Sequence, residues 1–421
     1  MPVEDGPGFD LTEYNIPDMR AHFVRDVDGV RILNDFEDKA TVRSNDCVHV
    51  HDMREVQLNA QFAEDIDICR RKISFKARQS TGFQEEAVCF TEDAYFELKV
   101  VRSGDKFLWV SAGSDRLKNA LDPNGRHFQT KLDIMTNPQR VPGRNIFFNG
   151  VGRGSNYYHW IGEQMPRMAL IRKYVDLGEV DSIVVFVKKR VGFIEESLTA
   201  LFPEFKGQVV QIQGHSAASD EAYFFVQQGL AERSAHPDYV KKTPPAFRAS
   251  IGSLIDLCEH FDSQASRLIG PKGGYPDVAF ISRDRAGQRQ WINEDTLVNA
   301  VGPRARKVYS EDLSFREQLN TFHHADVIVA QHGAGLANAV FCKPGTRVIE
   351  VTARSHARRA WDFAKLGIAR GLDYHVVAID AVLDDPYTSV EAPEEPIPPL
   401  YASDLRASDE AIRFIAELCA S

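Results

Sequence analysis

The chain has 421 residues, 43% apolar and 26% charged. That usage belongs to a folded globular protein of two or three domains and excludes a peptide, a fibrous repeat or a largely disordered chain. The 50 Lys and Arg against 60 Asp and Glu give a net charge of -10, so no global positive field attracts nucleic acid, and peripheral membrane association would need a local patch.

Cys47, Cys69, Cys89, Cys258, Cys342 and Cys419 never fall in close pairs. They spell neither a zinc ribbon nor a dense disulfide framework, and a reducing compartment fits best. The opening Met1-Pro2-Val3-Glu4-Asp5-Gly6 is acidic and lacks the basic and apolar regions of a secretory signal, so a cytoplasmic location is expected. The longest nearly uncharged stretch, Val327 to Cys342, includes Gln331, His332 and Asn338 and falls short of the ~20 apolar residues of a membrane span.

Up to about Met135 the signals are strand-like. Phe96, Leu98 and Val100 alternate with polar residues, and Ser103-Gly104-Asp105 turns into Phe107–Val110, which predicts a hairpin. From Asn145 the pattern becomes apolar strand, glycine-bearing loop and helix, with strands expected at Asn145–Phe148, Ile183–Val187, Val209–Ile212 and Ala222–Val226. A polar, proline-bearing stretch from His236 to Pro245 marks a domain boundary. Beyond it the same pattern recurs, with strands expected at Val278–Ile281, Lys307–Tyr309, Asp326–Ala330 and Arg347–Val351. The run Glu391 to Pro399 reads as a stiff linker, after which Ser408-Asp409 caps a helix with Ile412, Ile415, Leu418 and Cys419 on one face. The expected domains are thus 1–235, β-rich to about residue 140 and then α/β, 236–390, and the linker and helix 391–421.

Three segments carry chemistry. In Ala325 to Phe341 an apolar strand ends at Gln331-His332 and Gly333-Ala334-Gly335-Leu336 leads into a helix-forming stretch. Free amides and about half a positive charge at a helix start suit phosphate oxygens, and glycine lets a diphosphate approach the backbone. A tight turn with two packing glycines is the plainer explanation of the same residues. Next, Phe280-Ile281-Ser282 is followed by Arg283, Arg285 and Arg289. Guanidinium groups beyond the carboxyl end of a parallel strand would reach the same crevice, Arg283 first and Arg289 second, although surface ion pairs are the usual fate of such residues. Asn293-Glu294 can simply open a helix Asp295–Ala300 with Asn293 as N-cap, and Ser314-Phe315-Arg316-Glu317 matches a capping box.

The third segment, Gly150 to Arg167, is a glycine-rich loop followed by Asn156-Tyr157-Tyr158-His159-Trp160. If a helix begins near Asn156, His159 and Glu163 lie one turn apart, and a carboxylate beside an imidazole makes a general base. Equally, an aromatic helix can bury one satisfied histidine. Pro166 is expected to kink this helix. The adjacent His323-His324 and Asp65-Ile66-Asp67 read as surface features rather than metal ligands. No G-x-S-x-G elbow of a serine hydrolase occurs.

Taken together, Asn156 to Trp160 with Pro166-Arg167, Ile281-Ser282-Arg283 with Arg289 and Asn293-Glu294, and Leu313-Ser314-Phe315 through Gln318 to His332-Gly333-Ala334-Gly335-Leu336-Ala337-Asn338 resemble glycosyltransferase family 61, over roughly Gly143 to Val351. The resemblance implies an α/β, GT-B architecture of two Rossmann-like domains facing a cleft, with a terminal helix crossing back to the first. It also implies an inverting, metal-independent transfer from a nucleotide sugar, UDP-linked by family analogy, to a glycan or other hydroxyl acceptor in polysaccharide biosynthesis. No other cofactor is expected. His159 would act as base with Glu163 as its orienter or replacement. Arg283, Arg289, Asn293, Glu317, His332, Gly333, Ala334, Gly335 and Leu336 would hold the donor phosphates. Two rivals stand beside it: a catalytically silent sugar-nucleotide or glycan-binding protein, and an NAD(P)-dependent oxidoreductase read from Gly333-x-Gly335 with Glu350 ending the next strand.

Overall fold

Four- and five-residue apolar runs between polar turns become strands buried on both faces, as parallel sheets require. In the computed structural model, residues 30–32, 85–97, 100–103, 106–109, 138–148, 155–214, 216–228, 251–286, 289–353, 361–381 and 404–420 are described. They divide into two units at Ser253 and Leu254. The boundary expected at His236–Pro245, the linker Glu391–Pro399, Asp65–Asp67, Cys47 and Cys69 lie outside the described residues.

The described strands of the first unit are β1 (Val30–Ile32), β2 (Glu85–Glu97), β3 (Val100–Ser103), β4 (Lys106–Trp109), β5 (Gln139–Phe148), β6 (Ser182–Phe186), β7 (Gln208–Ile212) and β8 (Ser216–Gln228). They form one mixed sheet in the order β4-β3-β2-β8-β5-β6-β7, with β1 against β2. The portion β8-β5-β6-β7 is parallel and β2, β3 and β4 pair antiparallel. Ser103 pairs with Lys106, so the expected hairpin is present, and the antiparallel strands share a sheet with the α/β strands. Strand β5 begins six residues before the expected Asn145 because a bulge at Gly143, where φ is +84°, interrupts its alternation between Val141 and Arg144.

One side of this sheet packs Phe96, Phe147 and Phe224, with the Phe96 and Phe147 rings stacked at 3.8 Å. From the other side Phe148 meets Trp160 edge-on at 5.5 Å. That contact seats the helix that follows β5: α1 (Tyr157–His159), a π-helical turn (Trp160–Gln164) and α2 (Met165–Ile171) run on without a break. Trp160 Nε1 donates to Ser197 Oγ at 2.7 Å on α3 (Phe193–Leu201). The distortion expected at Pro166 takes the form of this π turn: Met165 N–H bonds back to Trp160 O, one residue further than an α-helix allows, and Pro166 sits at the opening of α2, where its missing N–H costs nothing.

The second unit is doubly wound. The helix α4 (Ile251–Leu268) leads into β9 (Val278–Ile281), α5 (Glu294–Val301), β10 (Ala305–Val308), α6 (Phe315–His324), β11 (Val327–Gln331), a 3-10 helix (Ala334–Phe341), β12 (Arg347–Ala353), α7 (Trp361–Arg370), β13 (Asp373–Ala381), β14 (Leu405–Arg406) and α8 (Asp409–Ala420). The sheet order is β10-β9-β11-β12-β13-β14, parallel except for β14. The strand expectations at 278, 307, 326 and 347 hold to within two residues at each end. Where a helix was expected after Gly333, a 3-10 helix forms. Eight residues of α-helix span about 12 Å and of 3-10 helix about 16 Å, which matches the roughly 17 Å of a five-residue strand that this short crossover must retrace.

One face of this sheet buries Val278, Phe280, Val327, Val329, Ile349 and Val351 under Leu297 of α5 and Ile412, Ile415 and Cys419 of α8. Ser408 Oγ accepts the Ala411 amide at 3.1 Å, the cap expected there. The terminal helix α8 is docked on the second unit's own sheet, and Arg347 Nη1 donates to its Leu418 carbonyl at 2.7 Å. His323-His324 also departs from expectation. His324 is buried, bonds the Gly270 carbonyl through Nε2 at 2.8 Å and stacks on Tyr275, because α6 turns this end of the helix inward. Cys89, Cys258, Cys342 and Cys419 are buried free thiols. Among the described residues no helix is long and apolar enough to cross a membrane.

Candidate functional site

In the second unit the chain leaves β9 to build β10 on one side, then returns to build β11 on the other. The carboxyl ends of β9 and β11 therefore diverge at a topological switch point, the place where open α/β sheets hold ligands. Ser282 and Arg283 follow β9; His332, Gly333, Ala334 and Gly335 follow β11. Segments about 50 residues apart in sequence are thus neighbours.

Arg283 lies against Gly333: a Cβ built on that glycine would sit 2.6 Å from Arg283 Nη1. Gly333 has φ 174°, ordinary extended backbone, so the glycine is required by the close approach of the guanidinium and not by conformation. Gly335 is tight for a second reason, since its Cβ would lie 3.1 Å from Ile281 Cγ2 at the end of β9. Arg289 Nη1 donates to the His332 carbonyl at 3.4 Å, and Arg289 holds φ +57°, a left-handed conformation that costs free energy for a residue other than glycine and is concentrated at functional sites. Burial pushes the Arg283 pKa below its ordinary value, opposed by Glu311; the group stays cationic at neutral pH. Arg285 is exposed, paired with Asp312 at 2.6 Å and laid over the Tyr309 ring.

The main chain after β11 is nearly as expected. His332 N–H continues the ladder to Val351 O at 2.8 Å, and Leu336 N–H already bonds Gly333 O at 3.1 Å. The Leu336 amide, expected at the phosphate, is therefore spent inside the 3-10 turn, which leaves Gly333, Ala334 and Gly335 as the opening amides. The side chain of His332 is buried, with Nδ1 2.5 Å from Glu350 Oε1, and the Tyr374 hydroxyl donates to Glu350 Oε2 at 2.8 Å. Both oxygens of Glu350 are engaged in the core, so the acidic residue that the dinucleotide reading needs for a ribose is not presented to one.

Asn293 and Glu317, expected at the phosphates, are committed elsewhere. The Asn293 amide donates to the Ala407 carbonyl at 2.7 Å, and its oxygen accepts the Ala407 amide at 3.0 Å and Trp291 Nε1–H at 3.1 Å. It occupies the N-cap position of α5 without capping it. Glu317 closes a complete capping box with Ser314 at the start of α6, both bonds being present, and is exposed.

Sequence reasoning missed the support beneath Arg283. Glu294 is 3% exposed and accepts the Ser282 hydroxyl at 2.9 Å. Lys307 Nζ is 2.7 Å from Asp295, 3.2 Å from Asp284 and 3.9 Å from Glu294. Burial pushes the Glu294 pKa up to about 7, against the Ser282 hydrogen bond and the Lys307 charge. Burial also works against the Lys307 ammonium, but its hydrogen bonds to Asp295 and Asp284 and the nearby Glu294 hold it above the ordinary lysine range. A carboxylate opening a helix normally faces solvent; only its membership of the Asn293-Glu294 pair set it apart.

In the first unit the expected pair is formed. Asn156 caps α1 by accepting the His159 amide at 3.3 Å, and His159 Nδ1 lies 2.8 Å from Glu163 Oε2. The Glu163 side chain is 2% exposed and that of His159 is 34% exposed. A buried carboxylate fixes the ring from below, which selects the tautomer with the proton on Nδ1 and directs Nε2 basicity outward. This pair stands on the helix that leaves the carboxyl end of β5.

Residues 157–349 match the family model described as Glycosyltransferase 61. The EGF domain-specific O-linked N-acetylglucosamine transferase of Mus musculus is 32% identical over 111 residues, 25% of this chain and 20% of the relative. Protein O-linked-mannose beta-1,4-N-acetylglucosaminyltransferase 2 of Tetraodon nigroviridis is 22% identical over 319 residues, 69% of this chain and 53% of the relative. Beta-1,2-xylosyltransferase RCN11 of Oryza sativa subsp. japonica is 32% identical over 65 residues, 15% of this chain and 12% of the relative. The chain thus spans from about an eighth to about half of the lengths of these relatives. Through the segment 157–349, which runs from the Tyr-Tyr-His helix to the strand carrying Glu350, the chain is thus similar to glycosyltransferase family 61.

Proposed function

We propose that this protein is an inverting, metal-independent glycosyltransferase of GT-B type that moves a sugar from a nucleotide diphosphate donor to a hydroxyl of a glycan or protein. The activities for which the relatives are named, transfer of N-acetylglucosamine or xylose, support the reaction class and make a UDP-linked sugar the first donor to try. A role in polysaccharide assembly and a cytoplasmic location belong to the same reading.

In this mechanism the second unit holds the leaving diphosphate. Charge grows on the β-phosphate as the anomeric bond breaks, and the Arg283 guanidinium, Arg289 and the amides of Gly333, Ala334 and Gly335 are fixed dipoles and charges that need no reorganisation to meet it. The proposed base is His159, which takes the acceptor hydroxyl proton as that oxygen bonds to the anomeric carbon and the diphosphate leaves, while Glu163 holds the imidazole. The guanidinium groups and three successive amides can carry negative charge that would otherwise call for a divalent cation.

The observation that carries this reading is the close approach of Arg283 to Gly333 at the switch point between β9 and β11. The test is to incubate the protein with UDP-N-acetylglucosamine, UDP-xylose and UDP-glucose and to measure UDP release in EDTA, with and without hydroxyl acceptors. Release from one donor in EDTA, abolished in Arg283→Ala, is the expected result. Binding of a nucleotide sugar without release under any acceptor would favour the silent-binder alternative, and affinity for NAD with none for nucleotide sugars would overturn the proposal.

A further inference from the structure

We propose that Glu294 is a positioning residue for the donor site, acting through Ser282 to hold the turn that aims Arg283 at the main chain of Gly333. This rests on the reading that Arg283 grips the donor diphosphate.

Arg283 stands in the middle of a three-residue turn that is tied down at both ends. At the near end, Ser282 N–H continues the ladder from β9 to Val308 O at 3.0 Å, and its hydroxyl does two things. It donates to Glu294 Oε2 at 2.9 Å and accepts the Asp284 amide at 3.3 Å. At the far end, the Asp284 carboxylate accepts from Lys307 Nζ at 3.2 Å and from the Tyr309 hydroxyl at 3.0 Å. The carbonyls of Asp284 and Ala286 take the Gln290 side-chain amide at 2.8 and 2.9 Å. The side-chain ties made by Asp284 and Gln290 are only partly buried, whereas the Ser282–Glu294 bond is buried.

A buried carboxylate is an expensive way to hold a serine. Removing a charged group from water is costly unless it is repaid, and here the Ser282 hydroxyl and the Lys307 ammonium repay it. What the carboxylate supplies is an acceptor strong enough to fix the Ser282 hydroxyl so that its lone pair meets the Asp284 amide. With the rotor fixed, the turn has one conformation and the guanidinium one direction. A rotation of this turn would carry Nη1 away from Gly333, where a displacement of about an ångström already loses most of a bidentate contact.

The groups facing Glu294 are Ser282, Lys307 on β10, Asp284 in the turn and Asp295 on α5. Lys307 favours its ionised form, and burial with the two aspartates opposes it. Its protonation near neutral pH weakens the acceptor, so the grip on a diphosphate loosens as the pH falls through that range.

The experiment is calorimetric titration of the whole protein with UDP and with inorganic pyrophosphate, for the wild type, Arg283→Ala, Ser282→Ala, Glu294→Ala, Glu294→Gln and the double variant Glu294→Ala with Arg283→Ala. Glu294→Ala and Ser282→Ala should each weaken both probes about tenfold. Glu294→Gln, which keeps an acceptor oxygen, should restore most of the affinity and make its dependence on pH between about 6 and 8 weaker than that of the wild type, leaving only the part due to ionisation of the probe itself. In the absence of Arg283 the Glu294→Ala change should have no further effect, a non-additivity that a general loss of stability would not produce. Wild-type affinity in Ser282→Ala and Glu294→Gln with an unchanged pH profile, while Arg283→Ala loses both probes, would refute the role of Glu294 and leave the diphosphate reading standing. Undiminished binding in Arg283→Ala would overturn that reading itself.

Discussion

Replacing Glu294 by glutamine removes a charge that the fold holds at a cost, and the size of that cost follows from the structure. The side chain lies under α5 at 3% exposure, and burial pushes its pKa from 4.5 up to about 7 in spite of Ser282 and Lys307. A pKa that is higher in the folded than in the unfolded chain means that folding binds the proton more tightly. Its contribution to stability is therefore complete below about pH 4.5 and is lost as the pH rises through about 7. The displacement corresponds to about 3 kcal/mol, of which about 2.5 kcal/mol is lost between about pH 5 and about pH 8. Glutamine does not titrate, and Lys307 keeps Asp284 and Asp295 as partners in the variant. Thermal unfolding of both proteins across this range is the assay. At about 2–4 °C per kcal/mol for a unit of this size, the wild-type midpoint should fall by about 5–10 °C more than that of Glu294→Gln on going from the acidic to the alkaline end. Parallel profiles, or a steeper fall in the variant, would refute the reasoning.

Gly333→Ala places a methyl group 2.6 Å from Arg283 Nη1; the flexible guanidinium yields, so stability should change by less than about 1 kcal/mol while UDP affinity in titration drops about tenfold. His159→Ala should lower the rate of sugar transfer by about 10²–10⁴-fold with UDP affinity unchanged, and Glu163→Gln should lower it less. Asn293→Ala strands the Ala407 amide and carbonyl, so denaturant unfolding should show a loss of about 1–3 kcal/mol and proteolysis should release the segment bearing α8 earlier. Glu317→Ala opens the capping box of α6, costing about 1 kcal/mol, with UDP binding as in the wild type.

How much could be read in advance differs from element to element. Strands β9 and β11 are short and almost fully apolar, the pattern of strands buried on both faces, and their positions follow directly. Strand β13 escaped because Asp373, His375 and Asp380 break the run; Asp373 and His375 pair with Arg347 and Ile349 of β12, and Asp380 with Arg406 of β14. The spacing of His159 and Glu163 fixed their bond once Asn156 opened the helix, although the intervening turn is π-helical. Asn293 and Glu317 show the limit of motif reasoning: both sit within segments shared with the family, and one is held by a backbone 114 residues away while the other serves its own helix.

Residue identity alone dictated the local chemistry of this protein: which stretches prefer strand or helix, where capping serines and glycines fall, and that arginines and amides are available for a diphosphate. Those are preferences of short windows, carried by periodicity and by side chains a few residues apart. Tertiary structure decided which windows meet. The order β10-β9-β11-β12-β13 brings Arg283 to Gly333 and turns Glu350 from a possible ribose ligand into the partner of His332, and the docking of α8 on α5 gives Asn293 its acceptor. Parallel strands are joined by crossovers that leave neighbours dozens of residues apart, so their pairing is chosen by the burial of whole faces at once, a quantity no single window contains.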